Sequence, residues 1–404
     1  MQDMTFPYVV RRGDTWERIA LRYGLTVEQL MQVNNEPGGP VETGMKPGAA
    51  VRIPILPACS YAVQAGDTLE EVARRFRLEV DELLGANPGV HPRRLRIGQP
   101  LALPQSYCLV RAVEGVYGYK ELTGQLEQLQ REYPLLETGT IGCSALGAPI
   151  PYVRIGRGER EIHYNGSFHA NEWITSLLLM RFVEQFASAA ASGRPLAGRD
   201  ASRLMEEVSL WVVPMVNPDG VELVVRGASP DHPYYERLIA WNAGSADFSG
   251  WKANIRGVDL NDQFPAYWET ERDRRDVPGP GPRDYTGLCP LSEPEAIAMA
   301  DFTAERNFRL VMAFHTQGRE IYWNYRDYEP EESAALALRF EELSGYQAVK
   351  LTGSDAGYKD WFIREYGRPG FTIEAGYGVN PLPLQQFGLI YQELLPLLVE
   401  GLLV

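Results

Sequence analysis

The sequence is poor in basic residues, with 39 Lys and Arg against 53 Asp and Glu and a net charge of −14. Binding to nucleic acids or to an anionic membrane surface needs basic patches, so this balance argues against both. No run of 18 apolar residues is present, so we expect no transmembrane helix and no membrane insertion. The first residues lack both a basic stretch and an apolar stretch, so we expect no secretory signal and a cytoplasmic location.

Cysteine and histidine are scarce too, at four and five residues. The cysteines are scattered, and none has the close spacing of a zinc-binding or redox motif. We expect reduced thiols, the usual state in an intracellular protein. A bridge between Cys59 and Cys108 stays open, because each follows one copy of an internal repeat.

That repeat occupies residues 7–56 and 60–105. Gly13-Asp14-Thr15 recurs as Gly66-Asp67-Thr68, each time after a Tyr-x-Val segment, and Asn34 recurs as Asn87 at the same offset. Each copy predicts the order strand, helix, helix, strand. Asp14 and Asp67 stand just before the first helix, where an Asp side chain can cap it.

The two copies resemble LysM modules. The resemblance implies binding of glycans that contain N-acetylglucosamine, chiefly peptidoglycan. A single Gly-Asp-Thr would also fit a turn followed by a helix cap, but two copies in register favour a pair of glycan-binding modules. The residues that the resemblance implies at the glycan are Gly13, Asp14, Thr15, Asn34, Gly66, Asp67, Thr68 and Asn87.

The remaining residues, 110–404, alternate predicted strands with amphipathic helices, which predicts an α/β domain with helices on both faces of a sheet. Three predicted strands, at 161–168, 308–315 and 371–374, matter most. Residues 187–200 are predicted to form a surface loop. The segment 269–283 is dense in charge, Pro and Gly, so we expect an exposed loop or lid.

His169 and Glu172 follow the first of these strands and precede a helix predicted at 173–186. Their spacing lets both side chains point the same way. His315 ends the second strand, and Glu374 ends the third. Because ligands collect at the carboxyl ends of strands in α/β sheets, His169, Glu172 and His315 predict a metal site, for which zinc is the natural ion.

At this point the chain, from about residue 115 to 400, resembles the zinc carboxypeptidase family. The resemblance implies a mixed eight-stranded sheet, one zinc ion per chain and Glu374 as the general base that takes a proton from the attacking water. It also implies that Asp259 orients His169. The motifs that carry it, in the family's order, are His169-x-x-Glu172, Asn217-Pro-Asp-Gly220, Gly257-Val-Asp-Leu-Asn261, His315 and Glu374.

The same resemblance implies a cation that stabilises the negative charge on the reacting oxygen, but it leaves two candidates for this residue. Counting from Trp251 selects Lys252, whereas matching the residue type selects Arg256. The family's mobile Tyr has no clear counterpart, and Tyr358 and Tyr377 are the candidates.

Substrate contacts are implied at Asn171, Asn261 and Asp262. Terminal carboxypeptidases carry Arg at the position of Asp262, where it clamps a substrate carboxylate. An acidic side chain there reverses the charge, so we interpret Asp262 as the partner of a substrate ammonium.

The resulting hypothesis is a zinc hydrolase that cleaves the bond between γ-D-glutamate and the diamino acid (meso-diaminopimelate or Lys) of peptidoglycan stem peptides. Association with a spore or the cell wall is the alternative to a cytoplasmic location. Two other functions are weighed: a carboxypeptidase acting on ordinary C-terminal residues, against which Asp262 argues, and an inactive glycan-binding protein. The intact set of His169, Glu172, His315 and Glu374 argues against inactivity.

Overall fold

The computed structural model describes residues 5–10, 14–22, 27–34, 46–54, 60–63, 66–75, 78–87, 90–97, 99–103 and 108–404. Gly13 and Cys59 lie outside these ranges. The chain divides into two compact units. One comprises Met1–Leu109 and Gln385–Pro396, and the other comprises Val110–Leu384 and Leu397–Val404.

Both repeats have the predicted order of strand, helix, helix, strand, and in each copy the two strands pair antiparallel. Ile19, Leu30 and Ile53 are fully buried in the first module, as are Leu69, Leu83 and Leu101 in the second. Each module therefore has a small apolar core of its own. The elements are β1 (Thr5–Val9), α1 (Trp16–Arg22), α2 (Val27–Asn34) and β2 (Ala50–Pro54), then β3 (Ser60–Ala62), α3 (Leu69–Arg75), α4 (Val80–Ala86) and β4 (Pro100–Ala102).

The helix caps differ from the prediction. Thr15 accepts the backbone N–H of Arg18, and Thr68 accepts that of Glu71, so the threonines cap α1 and α3. Asp14 instead accepts the hydroxyl proton of Tyr8 at 2.6 Å, and Asp67 accepts that of Tyr61. The prediction that the aspartates cap these helices is wrong, because each reaches a tyrosine on the module's first strand.

The repeated asparagines connect the second helix of each module to its last strand. Asn34 bonds to both the N–H and the C=O of Arg52, at 2.7 and 2.6 Å, and its amide also reaches the C=O of Leu30. Asn87 repeats this pattern with Ala102 and Leu83. The modules' own backbone therefore uses both ends of each amide. A role for these residues in glycan binding stays a prediction.

The second unit is built on an eight-stranded mixed sheet with the strand order β13-β12-β14-β11-β7-β10-β6-β5. This is the α/β architecture that the sequence predicts. Its strands are β5 (Glu137–Cys143), β6 (Pro149–Ile155), β7 (Arg160–Gly166), β10 (Val208–Val213), β11 (Leu310–His315), β12 (Glu320–Tyr322), β13 (Gln347–Val349) and β14 (Gly370–Glu374), and a separate hairpin has β8 (Pro195–Leu196) and β9 (Arg199–Asp200).

Helices and loops connect these strands. The helices are α5 (Tyr119–Glu132), α6 (Ile174–Ala191), α7 (Ala201–Glu207), α8 (Pro218–Arg226), α9 (Tyr235–Trp241), α10 (Trp268–Arg275), α11 (Pro294–Ala304), α12 (Glu332–Ser344), α13 (Tyr358–Tyr366) and α14 (Phe387–Glu400). Within the residues that the structure describes, no helix combines the length and apolar character needed to cross a lipid bilayer.

The centre of the sheet is parallel. Strand β7 pairs in parallel with β10 and β11, and β11 pairs in parallel with β14. Every residue of β10 and β11 is buried, as expected for strands covered on both faces. The carboxyl ends of β7, β11 and β14 consequently lie at one edge of the sheet, where ligands bind in such folds.

Two predicted loops contain regular structure. Residues 187–200 continue α6 to Ala191 and then form the short β8–β9 hairpin. The segment 269–283 begins inside α10, an eight-residue helix whose last turn carries three arginines. Charge density alone predicted exposure there. It did not reveal that these charges pair with one another.

The cysteines fall into two classes. Cys108 is disulfide-bonded, whereas Cys143 and Cys289 are exposed free thiols. The expectation of reduced thiols is therefore wrong for Cys108.

Candidate metal centre and active site

A sharp turn after β7 brings the first two predicted ligands together. Ser167 has a positive φ of 51°, and its N–H donates to the hydroxyl of Thr175 at 2.9 Å, which fixes the turn to the start of α6. A single 3₁₀ turn over Ala170–Glu172 follows His169. The Nδ1 atom of His169 lies 2.9 Å from Oε1 of Glu172.

His315 completes the cluster from the end of β11. Its Nδ1 atom lies 2.9 Å from Oε2 of Glu172 and 3.1 Å from Nδ1 of His169. All three side chains are buried, and their ligand atoms lie within 4.8 Å of one another. Two imidazole nitrogens and a carboxylate converging on one point in the interior are the donor set of a zinc ion. The residues present therefore fit one metal ion.

Neighbouring polar groups hold this cluster. Oδ1 of the fully buried Asp259 lies 3.2 Å from Nε2 of His169, the arrangement that orients a metal-binding imidazole. The amide of Asn380 donates to Oε1 of Glu172 at 3.3 Å and to the C=O of Thr316 at 2.9 Å. Both carboxylate oxygens of Glu172 therefore have polar contacts, Oε1 with His169 and Asn380 and Oε2 with His315.

The charges within the cluster shift one another's pKa. Burial alone would lower the pKa of His169, but the carboxylates of Glu172 and Asp259 outweigh it and raise the pKa to about 9. Burial would raise the pKa of Glu172, but His169 and His315 bring it down to about 2. Glu172 is therefore held as a carboxylate, the form that binds a metal.

Glu374 lies directly beside this centre, since it is the register partner of His315 in the parallel pair of β11 and β14. Its side chain is half-buried. Burial and the nearby carboxylates of Glu172 and Glu320 raise its pKa to about 8, although His169 and Lys252 oppose the shift. A carboxyl group with a pKa near neutrality can both accept and return a proton.

Lys252 and Arg256, the two candidate cations, have different contacts in the structure. Nζ of Lys252 lies 2.7 Å from Oδ2 of Asp259, the carboxylate that also contacts His169. Arg256 points to Glu293 instead, with Nη1 3.6 Å from Oε2, and is 41% exposed. Of the two, Lys252 is the one that contacts the carboxylate beside His169, and its role at the reacting oxygen stays a prediction.

Asn171 and Asn261 also lie close to the ligands. Asn171 stands between His169 and Glu172 in the 3₁₀ turn, and its side chain is buried. Asn261 follows Asp259, and its Oδ1 accepts the backbone N–H of Tyr358 at 3.2 Å. Their contacts with substrate stay predictions.

Asp262 is buried and contacts the chain's own Arg275, whose Nε lies 2.9 Å from Oδ2. The position interpreted as an ammonium site is thus already paired with a guanidinium. Burial and the nearby Asp259 raise the pKa of Asp262 to about 7, while Lys252 and Arg275 oppose the shift.

The prediction that Tyr358 binds substrate is wrong. Its ring is fully buried among aromatic side chains, and its hydroxyl bonds to Thr303 at 2.9 Å. Tyr377, the other candidate, is 57% exposed and lies three residues after Glu374. The whole start of α13 is buried, from Tyr358 to Ile363, so the ring of Tyr358 packs inside the domain and not at the site.

Comparison with known proteins decides the family. A model of zinc carboxypeptidases matches residues 122–379, and a model of the LysM domain matches residues 8–54 and 61–104. The chain belongs to the zinc carboxypeptidase family. It is accordingly a zinc metallopeptidase, and its metal centre is that of His169, Glu172 and His315.

One curated relative matches over most of this chain. It is the γ-D-glutamyl-L-diamino acid endopeptidase 1 of Lysinibacillus sphaericus, 43% identical over 84% of this chain and 98% of the relative. Among solved structures, bovine thrombin-activatable fibrinolysis inhibitor is similar with a TM-score of 0.54 at 20% identity, covering 71% of this chain and 96% of that one. Carboxypeptidase A of Helicoverpa armigera has the same score at 18% identity, over 82% and 80%. At these identities the two structures show the fold.

Sequence reasoning missed three residues of this region. Asn380 supports Glu172, Asp284 lies 3.6 Å from Lys252, and Arg275 covers Asp262. Asn380 follows Glu374 by six positions, so its place just beyond a strand that ends in the site was a usable signal. Arg275 and Asp284 reach the site through loops and a short helix, and no periodic pattern marks them.

Proposed function

We propose that this protein is a zinc-dependent peptidoglycan hydrolase that cleaves the bond between γ-D-glutamate and the diamino acid of stem peptides. The supporting observation is the buried cluster of His169, Glu172 and His315 with Glu374 in register beside it, on a chain that resembles a γ-D-glutamyl-L-diamino acid endopeptidase along 84% of its length. The two LysM modules bind the glycan and keep the hydrolase near its substrate.

The protein's own groups divide the work of amide hydrolysis. Zinc, when held by His169, Glu172 and His315, supplies Lewis acidity that polarises the scissile carbonyl and acidifies water. Glu374 accepts the proton of the attacking water and donates it to the leaving amine of the diamino acid. Lys252, which contacts the carboxylate beside His169, supplies a positive charge that favours negative charge on the substrate oxygen.

A digest of L-Ala-γ-D-Glu-meso-diaminopimelate tests the proposal. Wild type and Glu374→Gln are incubated with the peptide, and the products are identified by mass spectrometry. The expected result is L-Ala-D-Glu plus free diaminopimelate from wild type only. Removal of C-terminal residues from ordinary peptides, with no cut at the γ-glutamyl bond, would establish the plain carboxypeptidase instead.

The glycan-binding part needs a separate measurement. Binding of the full chain to insoluble peptidoglycan is compared with and without soluble N-acetylglucosamine oligomers as competitors. Competition by the oligomers is expected if the modules recognise the glycan. Retention that the oligomers leave unchanged would argue against this role.

A further inference from the structure

The pairing of Asp262 with Arg275 argues against the interpretation of Asp262 as the partner of a substrate ammonium. Asp262 is only 3% exposed, and the guanidinium of Arg275 covers it, with Nε 2.9 Å from Oδ2 and Nη2 3.2 Å from Oδ1. A substrate ammonium at Asp262 would have to displace a cation that the chain itself provides. A guanidinium therefore lies beside Asp262, although the side chain at this sequence position is an acid.

The guanidinium is fixed from its own helix. Arg275 ends α10, and its Nε lies 2.9 Å from Oε1 of Glu271, one turn earlier. Glu271 is buried, and its other oxygen accepts the backbone N–H of Asp355 at 2.9 Å. An arginine held in this way can present its remaining donors without losing much side-chain entropy on binding.

A chain of charged contacts links Arg275 to the metal centre. Nη1 of Arg275 lies 3.6 Å from Oδ1 of Asp284. The same oxygen lies 3.6 Å from Nζ of Lys252, which contacts Asp259. The side chain of Arg275 is 31% exposed, so a ligand can reach it.

We propose that Arg275 binds a carboxylate of the substrate and that Asp262 positions it. The inference rests on the proposed function. A stem peptide has carboxylates on both sides of the scissile amide, because D-Glu linked through its side chain keeps its α-carboxylate and the diamino acid brings its own. A guanidinium can bind either of these carboxylates through two parallel hydrogen bonds.

The test compares Arg275→Gln with wild type on three peptides: L-Ala-γ-D-Glu-meso-diaminopimelate, the same peptide with the diaminopimelate carboxyls amidated, and the same peptide with the D-Glu α-carboxyl amidated. On the parent peptide we expect kcat/KM to fall about 10- to 100-fold, mainly through KM. On the peptide that lacks the bound carboxylate, Arg275→Gln and wild type should have the same kcat/KM. Whichever amidated peptide shows this insensitivity identifies the carboxylate.

Matched variants separate binding from folding. Arg272→Gln changes another arginine of α10 that is 49% exposed and contacts Asp273, so it should leave all three rates unchanged. Arg275→Lys keeps the charge and should recover part of the parent rate. Asp262→Asn should lose less than Arg275→Gln, with the same dependence on the substrate.

The outcomes are distinguishable. Wild type that cleaves none of the three peptides overturns the proposed function and this inference with it. If wild type cleaves the parent peptide but Arg275→Gln loses the same factor on all three, or loses nothing, the proposed function stands and Arg275 is not a carboxylate-binding residue.

Discussion

The half-buried Lys252 and the fully buried Asp259 form an ion pair, with Nζ 2.7 Å from Oδ2, and the other oxygen of the same carboxylate lies 3.2 Å from Nε2 of His169. One carboxylate thus contacts both a metal ligand and a cation. Lys252 and His169 in turn lower the pKa of Asp259 well below its usual range, although burial opposes this. The pair explains why a charged lysine is stable at this half-buried position.

Removal of this lysine should impair the reaction more than removal of the other candidate. We expect Lys252→Met to lower kcat for the stem peptide about 100-fold or more, because a fixed positive charge near the reacting oxygen is lost. Arg256→Gln, which changes an exposed side chain paired with Glu293, should change kcat less than threefold or so. The measurement is steady-state kinetics with zinc content determined in parallel. Equal losses in both variants would contradict this assignment.

Loss of the Asp259 carboxylate should act through the metal. We expect Asp259→Asn to weaken zinc binding by about 10- to 100-fold, since the partner that orients His169 becomes neutral. Glu374→Gln should bind zinc as wild type does and yet lose activity, because Glu374 is not among the three ligands. Competition with a chromogenic chelator measures both affinities. Weak zinc binding in Glu374→Gln would show that this residue supports the metal and not the proton transfer.

The part of this site that could be predicted from the sequence lies where strands end. His169, Glu172, His315 and Glu374 each stand within a few residues of a buried strand, and the parallel pairing of those strands brings them to one edge. A residue's position at the end of a predicted strand therefore predicts which other residues it meets in the folded site.

Residues delivered by irregular segments could not be placed in this way. Lys252 and Arg256 are both cations in the same irregular segment, so residue type does not distinguish them. The path of the chain between β10 and α11 brings Lys252 to Asp259 and Arg256 to Glu293. Tyr358 carries a polar hydroxyl, but burial of its ring in the core decides its position. Arg275 could not be matched to Asp262, because charge pairing across a loop leaves no periodic signal.

The amide of Asn87 should contribute strongly to the second module. Asn87→Ala removes the bonds to Leu83 and to both backbone groups of Ala102, which close the module. We expect a loss of about 2–4 kcal/mol in local stability, at roughly 1 kcal/mol for each bond. Hydrogen exchange read by mass spectrometry on peptides that cover β4 measures it, since exchange reports local opening free energies.

Thr68→Ala provides the comparison in the same module. It removes only the cap of α3, which is worth about 1 kcal/mol. A larger loss of protection in Thr68→Ala than in Asn87→Ala would show that the asparagine is not the main connection between α4 and β4.

His163 should make the second unit sensitive to acid. Its ring is fully buried, it stacks on Phe308 at 4.9 Å, and its nitrogens bond to the C=O of Trp211 and the amide of Asn165, so it is held neutral. Burial lowers its pKa to about 3, although the bond to Trp211 opposes the shift. An unfolded histidine titrates near 6.5. Its contribution is therefore intact above pH 6.5 and is lost as the pH falls from 6.5 towards 3, by up to about 1.4 kcal/mol per pH unit.

Calorimetric unfolding between pH 4 and pH 7 tests this for wild type and His163→Gln. The variant is less stable at pH 7, because it disturbs a packed ring, but its unfolding midpoint should decline less steeply below pH 6.5. His91→Gln, at an exposed ring that accepts the N–H of Arg93, should keep the wild-type slope. A slope in His163→Gln as steep as that of wild type would assign the acid sensitivity to other groups, because the glutamine has no proton to gain in this range.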